Sequence, residues 1–288
     1  MSAGNTFRIL ILTTLLVATA ASAQSDYLRI SEDAAGEPAA LQTSIVGFES
    51  AEGDARNLRI DLIGAIHMAD ASYYTTLNET FSNYDAMLYE LVAPEGARPQ
   101  QNSQPGNLIS FTQTGLADLL GLTFQLNGID YTKTNFVHAD LTPQEMERNM
   151  SERQESFLSY MSRFFTAAMQ GDVPEPSRPA GGPGLFELLF SPDRERLIKI
   201  EFAHSLLDVE WFSEVIEGDQ GSTLIGARNA RAFDVLTERI EQGDQHIAIF
   251  YGVGHMPDLA SRIEIELDLE RAEVSWIDAW NLSPASTP

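Results

Sequence analysis

Apolar residues Leu58, Ile60, Leu62 and Ile63 form a β-like run over residues 57–64 that ends in the turn Gly64-Ala65-Ile66-His67. Asp70 is a candidate N-cap for the helix that follows, where Tyr73, Tyr74, Leu77 and Phe81 recur at helical spacing until Asn83 closes it. Residues 86–92 read as a second strand with Glu90 near its end, flanked by Leu88, Tyr89, Leu91 and Val92. The Pro, Gly, Gln and Asn of residues 94–106 predict an exposed connection. Residues 135–140 read as a short strand leading into Thr142-Pro143-Gln144-Glu145, a capping box with proline at the first helical position. One long helix is expected from there to about Gly171, with Met146, Met150, Phe157, Met161, Phe164, Phe165 and Ala168 on its apolar stripe. The stripe reads as core, although methionines also suit an adaptable binding face. Residues 173–184, rich in Pro and Gly, read as a lid or linker, and two more helical patterns cover about 193–216 and 222–242, each stopped by a glycine.

The C-terminal region repeats the opening plan. A strand over residues 246–251 runs into the turn Gly252-Val253-Gly254-His255, a short helix is entered at Pro257, and two further strands are expected near 264–269 and 272–277. The expected fold class is therefore α/β (α+β). Its mixed central sheet combines two half-units of strand, G-x-x-H turn, helix and strand around a mostly helical middle segment. Residues 24–288 form one domain with a helical insertion at about 142–218.

Residues 1–23 read as an address instead of as structure. Arg8 precedes an apolar run, and Ala21-Ser22-Ala23 supplies an A-x-A cleavage site. The run is shorter than the roughly 20 residues a spanning helix needs, so cleavage after Ala23 and a secreted or periplasmic protein without a stable membrane span are expected. The chain has no cysteine, which excludes both disulfides and lipidation at a cysteine. Its 18 basic against 42 acidic residues give a formal net charge of −24, which repels phosphate backbones and argues against nucleic acid as a partner. A peptide or small-molecule substrate is the partner expected.

The candidate chemistry lies at the strand ends. Ligands of sheets with parallel strands bind beyond the carboxyl ends of those strands, and both G-x-x-H turns fall there. A glycine after a strand permits a sharp turn or a close approach, and His67 and His255 would then stand at the sheet rim. Neutral imidazole is a common metal ligand, and a carboxylate at Glu90, set among apolar neighbours, needs a cation or donors to stay ionised. His67, His255 and Glu90 are thus a candidate site for a divalent ion such as Mn, Co or Zn. His138 and Asp140 form a third pairing that adds a ligand, orients a histidine or caps the next helix. Arg228 and Asn229 are candidates for binding a substrate carboxylate or peptide carbonyl, against a plain salt bridge for the arginine. His204 and His246 read as structural.

Taken in order, several segments resemble the TraB/PrgY/GumN group, whose animal members are the Tiki proteases, and more distantly the erythromycin esterase and ChaN-like superfamily. They are Gly64-Ala65-Ile66-His67-Met68-Ala69-Asp70 with Tyr73-Tyr74, the stretch from Tyr84 to Leu91, residues 135–140, Arg228-Asn229, and Phe250-Tyr251-Gly252-Val253-Gly254-His255-Met256-Pro257. The resemblance spans about residues 58–280. It implies a metal-dependent hydrolase, with Mn or Co favoured in the Tiki branch, in which His67, His255 and Glu90 are essential. One departure is Ala227, where many relatives carry an acidic residue. The leading expectation is an exported metallopeptidase. The alternatives are a metal-independent esterase with His67 as base and Glu90 as its partner, and a non-catalytic protein that binds haem, iron or peptide.

Overall fold

The computed structural model describes residues 25–99, 120–171, 191, 193–218 and 221–284. The expected export segment, the lid or linker at 173–184 and residues 100–106 of the exposed connection lie outside the described residues.

The described chain starts with an antiparallel hairpin, β1 (Leu28–Glu32) and β2 (Pro38–Glu49), which the patterns above do not predict. Then come β3 (Arg59–Ala65), the two-residue β4 (Met68–Ala69), α1 (Ala71–Thr80), β5 (Ala86–Tyr89), the two-residue β6 (Thr123–Phe124) and β7 (Phe136–His138). The helical middle consists of α2 (Pro143–Glu152), α3 (Phe157–Gln170), α4 (Arg194–Leu206) and α5 (Val209–Glu217). A π-type turn (Thr223–Ala227) opens into α6 (Arg228–Glu241), followed by β8 (His246–Gly252), α7 (Met256–Glu266) and β9 (Glu270–Asn281).

The main sheet is mixed, as expected. Its order is β1-β2-β3-β8-β5-β7, with β9 paired to β2. The strands β3, β8, β5 and β7 run parallel, whereas β2 is antiparallel to β1, β3 and β9. The two strands that end in G-x-x-H are direct neighbours, with Ala65 opposite Gly252. Both half-units therefore share one sheet.

Both faces of the parallel strands are apolar because both are covered. Ile63, Ala65, Met87, Tyr89, Ala248 and Phe250 face one core with α1, while Ile60, Leu62, Ala86, Leu88, Ile247 and Ile249 face the other with α6 and α7. Successive residues alternate between these cores, which is the period of two that a strand imposes.

Several boundaries differ from expectation. Residues 264–266 belong to α7 and residues 267–269 link it to β9, so no strand lies there. Their alternation of Ile263, Ile265, Leu267 and Leu269 mimics a strand, yet Leu259, Ala260 and Ile263 are buried at helical spacing and Ile265 is left in solvent. The expected long helix breaks between α2 and α3, where Gln154 adopts φ +55°. Ser156 and Ser159 then cap one another reciprocally: the Ser156 N–H donates to Ser159 Oγ at 2.8 Å and the Ser159 N–H to Ser156 Oγ at 3.2 Å, starting a new helix. The capping box at Thr142 and Glu145 is present. The pattern over 193–216 is likewise two helices, α4 and α5. Asp70 precedes α1 but makes no side-chain cap; its carboxylate accepts the Asn281 N–H and the Lys199 ammonium instead. No helix among the described residues is long and apolar enough to cross a membrane.

Candidate active site

The four parallel strands end at one rim. Tyr89 lies opposite both Phe250 and His138, and Ala65 opposite Gly252, so Glu90, His67, Gly252 and residues 138–140 all emerge along the same edge. Gly64 explains how closely the two turns approach: a Cβ there would stand 2.8 Å from Val253 Cγ1, so the first turn has room for no side chain at that point. The first turn is further held by donors from outside it. Tyr73 and Tyr74, the adjacent aromatic pair on α1, donate their hydroxyls to the carbonyls of Gly64 and Ile66, each at 3.0 Å. The Gln125 N–H reaches His67 O at 2.8 Å, and Trp280 Nε1 reaches Met68 O at 2.7 Å. Successive carbonyls are thus pinned, and His67 leaves the sheet in a fixed direction.

Glu90 stands at the centre. Its Oε2 accepts the Gly252 N–H at 2.7 Å, an approach that a side chain at position 252 would crowd, since its Cβ would lie 3.3 Å from that oxygen. Its Oε1 accepts from Arg228 Nη2 at 2.7 Å and lies 3.7 Å from His255 Nε2. Burial alone would raise this carboxyl, but His255, Arg228, His67 and the Gly252 N–H together hold it down to about 2. Glu90 is therefore ionised at neutral pH.

Arg228 is clamped from two sides. Its Nε and Nη2 donate to the two oxygens of Asp140 at 2.9 and 2.6 Å, and Nη2 is shared with Glu90. Asp140 is wholly buried and also accepts the Leu141 N–H. The acidic partners of the arginine thus come from the ends of β5 and β7. Arg228 Nη1 makes no hydrogen bond among the described residues.

Asn229 has a different role from the one expected. It is fully buried, and its Nδ2 donates to His255 O at 3.1 Å and to Asp258 Oδ2 at 2.8 Å. Both partners are acceptors only, so Asn229 Oδ1 is the atom that faces His255 Nδ1 at 2.6 Å and accepts its proton. Burial lowers His255 to about 4, with the Glu90 charge opposing, so the ring is neutral with its proton on Nδ1. Its Nε2 lone pair then points toward a carboxylate oxygen. His67, exposed at the rim, has a parallel arrangement: Gln125 Oε1 lies 3.0 Å from its Nδ1, and Gln125 Nε2 donates to the Tyr131 hydroxyl. His67 lies within electrostatic range of both Glu90 and His255.

The other expected residues have local partners. His138 Nε2 donates to Leu91 O at 2.6 Å, tying β7 to the segment after Glu90. Asp140 orients Arg228, and Tyr251 donates its hydroxyl to Ala139 O. His246 lies 3.4 Å from the buried Asp61, at the strand ends away from this rim. The patterns above missed Gln125 and the Gly252 N–H. An isolated glutamine has no spacing to mark it, whereas Gly252 stood in the motif and was read for a turn or a close approach, not for its N–H as a donor.

No protein-family model, curated protein or solved structure matches the chain.

Proposed function

We propose that the chain is a hydrolase of the kind its motifs resemble, cleaving an amide bond at a site that gathers a divalent cation between His255, His67 and Glu90. The observation that carries this reading is that the His255 Nε2 lone pair and an ionised Glu90 oxygen stand 3.7 Å apart. Two electron-pair donors placed face to face need a cation or a proton donor between them. The donor set fits a divalent ion chemically: two imidazoles have Nδ1 turned to side-chain amides, leaving Nε2 for a ligand, and the carboxylate is ionised. Among the described residues no group of three or more His, Cys, Asp or Glu side chains is placed to hold a metal ion, and Arg228 shares Glu90, so binding an ion would require His67, His255 and Glu90 to draw together around it. When bound, such an ion supplies Lewis acidity toward a carbonyl and a lowered pKa for water.

The residues themselves have separable tasks. Arg228 presents Nη1 toward a substrate carbonyl oxygen and stabilises negative charge that develops there, without turning, because Asp140 has already fixed its plane. A carboxyl held near 2 is a poor proton acceptor, so Glu90 acts through its charge. His67, at the rim, would hold the ion through Nε2 while its Nδ1 stays on Gln125 Oε1.

One observation favours a second reading, a metal-free hydrolase with His67 as base: Arg228 already neutralises Glu90 and weakens it as a ligand. Metal content by mass spectrometry, for the untagged protein and for His67→Ala, Glu90→Ala and His255→Ala, separates the two. Near-stoichiometric metal that disappears in the variants supports the first reading. Turnover that survives exhaustive chelation replaces it with the second, and metal binding without turnover of any amide or ester leaves only a binding protein.

A further inference from the structure

All but three of the exposed large hydrophobic residues among the described residues lie between positions 158 and 212. Single exposed apolar residues are ordinary, but a concentration of them marks a surface that something covers. The expected Met and aromatic stripe accordingly divides. Tyr160 and Phe164 of α3 turn inward against Ile216 and Ile225, while Met161 and Phe165 are exposed.

Where this surface meets the candidate site, it is aromatic. Phe164 packs in tilted contact with Trp211 and Phe212 of α5, with ring centroids 5.9 and 5.1 Å away. Phe212 is 46% exposed. Its neighbour Ser213 donates its hydroxyl to Gly254 O at 2.8 Å, which fixes α5 against the turn that presents His255. Arg163 bonds the carbonyls of Ile216 and Glu217 and so secures α3 to the end of α5. The aromatic cluster is therefore built before any ligand arrives, which limits the ordering cost of binding.

We propose that Phe164, Trp211 and Phe212 form an apolar subsite beside the second G-x-x-H turn, and that it receives an aromatic or long aliphatic side chain of a peptide substrate flanking the bond to be cleaved. This rests on the amide-hydrolase reading only for the word substrate. The occupant is a peptide side chain because Ser213, next to Phe212, is bonded to the turn that presents His255, which puts the aromatic cluster beside the proposed amide-cleaving site, and because the chain's charge of −24 repels anionic lipid surfaces.

The test is binding, so it does not depend on turnover. Fluorescently labelled peptides that differ only by Phe, Leu, Ser or Asp at one central position are titrated against the full chain and against Phe212→Ser, whose site is already in water and whose fold is checked by circular dichroism. The Phe and Leu peptides should bind about tenfold or more tighter than the Ser peptide, and Phe212→Ser should erase that difference without weakening the Ser peptide. Equal binding of all four, or a preference that Phe212→Ser leaves intact, overturns the subsite. A protein that dimerises through this face, with dimerisation lost in Phe212→Ser and no peptide preference, assigns the face to a second copy and overturns it as well. Binding with the expected preference but no hydrolysis in Mn, Co or Zn would leave the subsite standing and remove the hydrolase.

Discussion

Asn229 illustrates how a buried amide can set the chemistry of a ring it touches. With both amide hydrogens committed to His255 O and Asp258, its oxygen can only accept, and the imidazole proton is confined to Nδ1. Asn229→Ala should therefore lower metal retention or hydrolysis by about 10- to 100-fold while leaving His255 in place, and destabilise the fold by about 1–3 kcal/mol, measured by thermal unfolding alongside metal content. A second prediction concerns pH. Folded His255 takes up its proton near pH 4 and the unfolded ring near 6.5, so the unfolded state binds more protons in that interval and the metal-free protein loses stability as pH falls through it, by roughly 3 kcal/mol. Glu90, lowered to about 2, adds its own loss only below about pH 4.5. Denaturant midpoints from pH 8 to pH 4 check the sign, and His255→Asn should flatten the upper part of the curve. At this scale the sequence was informative about which residues matter, because glycines and histidines announce themselves by spacing. It was silent on hydrogen-bond direction, so Asn229 was read as facing substrate and Gln125 was not noticed.

Elements were legible where a single physical pattern ruled and misread where two competed. The strands β3, β5 and β8 stood out as apolar runs before turns, and the capping box fixed the start of α2. Residues 263–269 carried a strand-like alternation, but the helix entered at Met256 runs on to Glu266 because Leu259, Ala260 and Ile263 already share a buried face. The break between α2 and α3 contains neither Pro nor Gly; its signals were a pair of serines three apart and a residue at positive φ. Gln154→Gly should accordingly stabilise the protein by about 1 kcal/mol by removing left-handed strain, seen as a raised melting temperature. The contact between the two turns makes a sharper prediction. Gly64→Ala should cost about 1–3 kcal/mol, and Val253→Ala in the same chain should recover much of it, giving a coupling energy that neither substitution shows alone. Additive losses in a double-mutant cycle would mean that the turns do not touch in solution.

In the whole molecule, one sheet brings together motifs that lie far apart in the chain. The mixed sheet and the shared rim were foreseeable from two similar half-units, whereas the strand order and the β1–β2 hairpin were not: no local pattern says which strands pair, and a hairpin's register is decided by the sheet it joins. That order places β8 between β3 and β5, so the last parallel strand in sequence is central in space. Removal of residues 246–288 should then abolish cooperative unfolding altogether, which a calorimetric scan of the shortened chain would show as the absence of a transition. The position of β8 also sets a schedule for synthesis. A chain still on the ribosome can make β3, α1 and β5, yet it has nothing to lay between them, and Glu90 has no Gly252 N–H and no His255 to meet. Any product that stops before β8 is complete carries His67 and Glu90 on an open seam, so translation that ends early yields no assembled site, only an unfinished sheet exposed to proteolysis.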